Sequence, residues 1–220
     1  MGWAAKMKSI MRTTSAFIAV VMALFATGCV NPTSYVDPAY GKVSYEDLTR
    51  RAVPYQWRLK AEFQRNGVAF PKVDGELLGH VERVVRASGM AVPTSDAAAS
   101  ELKVIVNNVA DIGQAAAKGF GTGLTFGLAG SQVTDFYEME IVFTDGDKVI
   151  KKSGYKHALH STIGNARGPA GLTPMTVSEA FAKVVEQLVL NALKDIETEY
   201  GAPAKGIPIS LNMLAIKNPS

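Results

Sequence analysis

From Tyr55 the chain alternates. Tyr55, Trp57, Leu59, Ala61 and Phe63 are apolar, and Gln56, Arg58, Lys60 and Glu62 stand between them. Only a strand with one face buried and the other in water satisfies a period of two. Asn66-Gly67 then turns the chain. The period changes at Asp74, which is placed to cap a helix running through Ser88. Leu77, Leu78, Val81, Val84 and Val85 fall on one face of that helix, and Gly89 sits as the residue that ends it. A short Met90–Val92 strand and a strand over Leu102–Asp111 follow, with Leu102, Val104 and Val106 on one side. Asp135–Thr144 and Val149–Ser161 form the clearest hairpin: Tyr137, Met139, Ile141 and Phe143 share a face, and Asp145-Gly146 supplies the turn. Gly164–Pro174 is a loop. Thr176 and Glu179 make a capping box for a long helix whose Phe181, Val184, Val185, Leu188, Ala192 and Ile196 repeat at helical spacing until Gly201. The order β-α-β-β-(Gly-rich)-β-β-α predicts an α+β fold: an antiparallel sheet of about five strands with two helices on one face.

The start of the chain reads differently. Lys6, Lys8 and Arg12 precede an uncharged run from Ala16 to Ala26, too short to span a bilayer, that ends in small residues. This is the layout of a secretory signal peptide over residues 1–28. The run closes on Ala26-Thr27-Gly28-Cys29, and Cys29 is the only cysteine among 220 residues. The tetrapeptide resembles a bacterial lipobox, which implies cleavage between Gly28 and Cys29 and a diacylglyceryl group on the Cys29 thiol. An unpaired cysteine in an oxidising compartment otherwise lacks an explanation. Initiation at Met1 or at Met7 leaves the mature chain unchanged. Under the sorting rule that the resemblance implies, Val30 after the cysteine directs the protein to the outer membrane. Residues 29–54, with Pro32, Pro38, Gly41 and Pro54, have no sustained periodicity and read as a flexible tether for a domain at 55–201.

Charge excludes one class of partner. The three basic residues of the signal leave with it, so 20 basic side chains face 20 acidic ones. The electrostatic footprint of a nucleic-acid binder is absent. With Cys29 spent on lipid, no disulfide, zinc-thiolate or thiol nucleophile is available, and stability rests on the core.

Gly113–Ser131 is the segment that this fold leaves unexplained. It holds six glycines and four alanines with one charge, Lys118. Small residues recur every fourth position, at Ala115, Gly119, Gly123, Gly127 and Ser131, beside Phe120, Leu124 and Leu128. On a helix this is a surface for close approach, to a membrane or to a second copy, through Gly119, Phe120, Gly123, Leu124, Gly127 and Leu128. A period of four contains a period of two, so a strand fits equally, as does a loop lying on the domain. The segment leaves and rejoins one sheet. Its two arms of roughly 15 Å each, if helical, dip into a bilayer rather than cross it.

The lipobox, Val85-Arg86-Ala87-Ser88-Gly89-Met90, the Ser100–Val104 strand, the apolar glycine insertion, Asp135-Phe136-Tyr137 and the terminal amphipathic helix together resemble the TraT-type surface-exclusion lipoproteins and related glycine-zipper outer-membrane lipoproteins. The likeness spans about residues 75–200 as an order of elements. It implies an oligomeric, membrane-associated lipoprotein, although the insertion here is shorter than in that family.

No catalytic constellation stands out. His157 and His160, three apart on a strand, face opposite sides and cannot share an ion; half-exposed strand histidines explain them. His80 borders the apolar face of its helix. Gly119, Gly121 and Gly123 lack the dinucleotide spacing, because Phe126 ends the hexad. Asp145 and Asp147 flank a turn glycine, and no G-x-S-x-G occurs. The expectation is a non-enzymatic outer-membrane lipoprotein without cofactor or metal, acting as a structural or assembly module that self-associates or dips into the membrane. The alternative is a tethered periplasmic regulator of a peptidoglycan enzyme. Residues 202–220 are a tail, with Ile207–Ile216 apolar enough for an edge strand.

Overall fold

The computed structural model describes residues 32–40, 43–97, 99–110 and 131–200. Seven strands and two α-helices follow the order β1 (Thr33–Val36), β2 (Tyr55–Arg65), β3 (Val68–Ala69), α1 (Asp74–Ser88), β4 (Ala91–Pro93), β5 (Ser100–Ala110), β6 (Ser131–Asp145), β7 (Lys148–Ile163) and α2 (Val177–Tyr200). They form one sheet ordered β1-β7-β6-β5-β2-β3, with β4 beside β2.

The α+β expectation holds in its coarse form, but the sheet is mixed rather than antiparallel. Strand β2 runs parallel to both β4 and β5, while the other pairs are antiparallel. The cause is α1. A helix inserted between strands returns the chain to the end where it began, so the next strand runs the same way. Alternation within a strand reports its buried face and not its direction.

The alternating residues face where their period requires. Trp57, Phe63, Leu102, Val104, Val106, Tyr137, Met139, Ile141 and Phe143 are buried under the helices. Trp57 packs edge-on against Phe143 with ring centroids 5.0 Å apart. Phe181 of α2 meets both Phe63 and Tyr137, at 5.9 and 5.7 Å. From α1 come Leu77, Val81, Val84 and Val85, and from α2 Val184, Val185, Leu188, Ala192, Leu193 and Ile196. The opposite face carries ion pairs between neighbouring strands: Lys103–Glu62 at 2.8 Å, Lys60–Glu101 at 3.0 Å, Lys151–Glu140 and Lys156–Glu138 at 3.1 Å. Exposed pairs of this kind contribute little each, and they keep this face in water.

Local chemistry sets the ends of the elements. In the β2–β3 hairpin Asn66 and Gly67 both take positive φ, 50° and 77°, as a two-residue turn demands. The capping box of α2 is formed: Glu179 Oε2 accepts from Thr176 N at 2.9 Å and from Thr176 Oγ1 at 2.8 Å, and Glu179 N donates back to Thr176 Oγ1 at 3.2 Å. Gly89 closes α1 at φ 70°. Asp74 does not cap that helix. It is the first helical residue, and its Oδ1 accepts from the Phe63 amide at 2.7 Å, tying α1 to β2. In β7 an extra residue is accommodated near Gly154, φ 88°: β6 advances from Met139 to Ile141 while β7 steps from Tyr155 to Lys152.

The flexible tether expected at 29–54 is corrected over its described part. Thr33–Val36 pairs antiparallel with Leu159–Thr162 as β1, and Ser34 exchanges backbone hydrogen bonds with Met175 on its other side at 2.9 and 3.0 Å. A short 3-10 turn at Tyr45–Asp47 then lies on α2. Leu48 is buried, Glu197 Oε1 accepts from Thr49 N at 2.8 Å, and Lys194 Nζ donates to the Asp47 carbonyl at 2.6 Å. The segment lacks periodicity because it crosses several surfaces in turn, but it is bound throughout these contacts. The tail at 202–220 lies outside the described residues.

Candidate functional site

Two strand starts and two strand ends define the end of the sheet of interest. Thr33, the first residue of β1, pairs with Thr162 on one side, and Gln132 of β6 pairs with Thr162 on the other. Two strand spacings separate Thr33 from Gln132, about 10 Å. Strand β5 ends at Ala110, opposite Asp135, and β6 begins at Ser131, opposite Ile163. The first turns of α1 and α2 lie at this same end, where Ser178 Oγ donates to Glu76 Oε1 at 3.4 Å. We call it the proximal end, because Cys29 stands four positions before Thr33 in the sequence. The opposite, distal end carries the β6–β7 turn at Gly146-Asp147, the start of β2 and the last turns of both helices.

The candidate residues named from sequence all fall outside the described residues: Gly28 and Cys29, and Gly119, Phe120, Gly123, Leu124, Gly127 and Leu128. What the fold fixes is where the chain leaves toward them. The chain departs to residues 111–130 from the proximal end, and it reaches β1 from Cys29 at that end as well.

The histidines occupy three distinct settings. His157 and His160 face opposite sides of β7, as their spacing requires. His157 is buried on the core side rather than half-exposed. Its Nδ1 accepts from the Ala158 amide at 2.9 Å, Tyr40 lies over it at 5.6 Å between ring centroids, and burial holds it below the ordinary imidazole range. His160 lies on the other face between Asp37 Oδ2, 3.3 Å from Nε2, and Thr134 Oγ1, 3.0 Å from Nδ1. Hydroxyl, imidazole and carboxylate thus lie in line, joining β6, β7 and the residue after β1. The sequence concealed this set because it depends on the pairing of β1, which has no alternation of its own. The set clasps three strands. His80 contacts Arg83 at 3.0 Å and packs edge-on against Phe181; burial lowers its pKa, and the Arg83 charge adds to the effect. Among the described residues no group of three or more His, Cys, Asp or Glu side chains is placed to hold a metal ion, and no described helix is long and apolar enough to cross a membrane.

No family model matches this chain, and no curated protein does. Among solved structures, it is similar to a PelC dodecamer from Paraburkholderia phytofirmans, 13% identical over 74% of this chain and 97% of that one, with a TM-score of 0.32. It is also similar to a DUF4136 family protein from Bacteroides thetaiotaomicron, 14% identical over 77% and 97% of the two chains, with a TM-score of 0.28. Likeness at these scores assigns no function.

Proposed function

We propose that the protein is an outer-membrane lipoprotein, anchored through Cys29, whose domain serves as a non-enzymatic structural or assembly module seated on the membrane by its proximal end. The observation that carries this reading is the register of β1 and β6 about Thr162. It brings the approach from the lipobox cysteine within about 10 Å of the strand that returns from the glycine-rich segment. A lipid on Cys29 and the apolar segment 111–130 then address one surface. The segment's length suits dipping into that surface better than crossing it.

The short connection disfavours the tethered regulator. Val30, Asn31 and Pro32 are all that separate Cys29 from Thr33, a reach of roughly 10–15 Å even when extended. A domain on so short a leash acts at the membrane that anchors it.

Intact-mass spectrometry of the membrane-extracted protein, beside a Cys29→Ser variant, tests the anchor. The wild-type chain should begin at Cys29 and carry a diacylglyceryl group, and the variant should carry none and leave the membrane fraction. Each buried CH₂ contributes about 0.8 kcal/mol, so loss of the acyl chains removes most of the membrane affinity. A wild-type chain without lipid would refute the reading.

A further inference from the structure

The helix layer is charged unevenly along its two flanks. On the flank over β2 and β4, the last turns of α1 meet the incoming chain. The Arg50 Nη2 donates to the Ala87 carbonyl at 3.1 Å, the Arg51 amide donates to the Gly89 carbonyl at 3.1 Å, and the Arg51 guanidinium lies 3.8 Å from the centre of the Tyr55 ring. Arg83 and Arg86 project from α1 beside them, both exposed. None of these four arginines forms an ion pair with a described carboxylate; the side chains of Arg50, Arg51 and Arg83 contact carbonyls, a ring and His80. On the opposite flank, over the part of β7 that β1 does not cover, Asp195 and Glu199 of α2 both pair with Lys152, at 3.5 and 2.7 Å, and Asp195 Oδ2 also accepts from the Tyr155 hydroxyl at 2.8 Å. Both carboxylates are nearly half exposed, 44% and 46%. One flank is basic and the other has acid in excess.

The two patches also stand at one height. Arg86 stands in the last turn of α1, three residues before Gly89 closes the helix at the distal end. Glu199 stands in the last turn of α2, one residue before the helix ends at Tyr200, also at the distal end. Copies seated on a membrane by their proximal ends, as in the function proposed above, would hold their distal ends level. Each basic flank would then meet the acidic flank of its neighbour.

We infer that copies of this chain associate side by side and head to tail, the Arg50, Arg51, Arg83 and Arg86 patch of one docking on the Asp195 and Glu199 patch of the next. The occupant of the arginine patch is therefore a second copy. Contact between two different patches of one protein closes into a ring when the rotation allows and otherwise extends as a row. Gly79 lies one turn before Arg83 on the same face of α1, with no atom within 4 Å of a side chain added there. Glu82, Arg83 and Arg86 line the open groove beside it, so a neighbour can approach the helix closely, and the arginine charges of the patch outweigh the single carboxylate of Glu82.

Charge reversal tests this with a built-in rescue. Arg50→Glu with Arg86→Glu makes one variant, and Asp195→Lys with Glu199→Lys makes the other. Sedimentation velocity of the full mature chains in detergent, at low salt, reads association. Each variant alone should associate at least about tenfold more weakly than wild type, since like charges then face each other. An equimolar mixture should recover it, because the reversed patch of one variant complements the reversed patch of the other and their two native patches still match. Misfolded variants could not restore one another, and the buried Trp57 reports folding independently. Wild-type protein that remains monomeric, single variants that associate normally, or a mixture that stays dissociated would each overturn the inference. Recovery in the mixture with an unlipidated wild type would leave the inference standing and the membrane anchor refuted.

Discussion

Leu188→Ala measures how much of the fold α2 holds. Leu188 is 1% exposed at the middle of the helix, within the single cluster that includes Phe181, Val184 and Ile196. Truncation removes three carbon atoms, about 2.4 kcal/mol of transfer free energy at ~0.8 kcal/mol each. The cavity left behind adds roughly 1–2 kcal/mol, because strands below and α1 beside it can relax only partly. The expected loss is about 3.4–4.4 kcal/mol, a fall in Tm of roughly 7–18 °C for a domain of this size. Urea titration of the Cys29→Ser mature chain suits the measurement. Trp57 is the only tryptophan after residue 28, and it is 2% exposed, so its emission follows the core. Val149→Ala, at a residue 60% exposed, serves as the control and should change stability by less than about 0.5 kcal/mol. A Leu188→Ala loss below about 0.5 kcal/mol would show that α2 does not secure the core.

Acid should destabilise the domain in two windows. His157 and His80 are held below their ordinary value of 6.5 mainly by burial, so the unfolded chain takes up protons at a higher pH than the folded one. Their contribution is complete above pH 6.5 and is lost as pH falls through the lowered folded values. Urea midpoints should therefore drop between pH 7.5 and 5.5, and His157→Leu should flatten that drop; an unchanged slope in the variant would contradict the assignment. Glu179, held low by its hydrogen bonds from Thr176, and Glu62, held low first by Lys103, act below the ordinary glutamate value of 4.5. Their stabilisation is lost only there, so Glu179→Gln should alter the lower window and leave the upper one unchanged.

Much of the helix layer and of the sheet's buried face was legible in the residues. The capping box at Thr176 and Glu179, the left-handed Gly89 and the Asn66-Gly67 turn are short-range devices, and the alternation in β2 and β6 reports burial directly. What the sequence concealed depends on distant pairing. β1 is four residues of T-S-Y-V whose partner, Leu159–Thr162, lies more than a hundred residues away, so nothing local marks it as a strand. Parallel pairing of β2 with β5 follows from the α1 crossover rather than from any residue in either strand. Asp74 has the side chain of a cap, but the Phe63 amide reaches it first. The uneven flanks of the helix layer were equally hidden, because Arg50 reaches the Ala87 carbonyl, next to Arg86 in the chain, only once the segment after β1 folds across the helices. Cys29 and the glycine stripe announce themselves in sequence, whereas the shared proximal end becomes visible only through the register of β1, β6 and β7.

The orientation of the anchored domain is the central claim, and lipid-depth quenching tests it directly. With Cys29 occupied by lipid, a cysteine placed at Gln132 or at Asp147 is the only free thiol, and both positions are exposed. They lie at opposite ends of β6, separated by about 45 Å along the strand. An environment-sensitive fluorophore at each position, in protein reconstituted into vesicles carrying headgroup-level quenchers, reports its distance from the bilayer. Strong quenching at Gln132→Cys with little at Asp147→Cys is the predicted result, and equal quenching at both positions, or the reverse order, would contradict it.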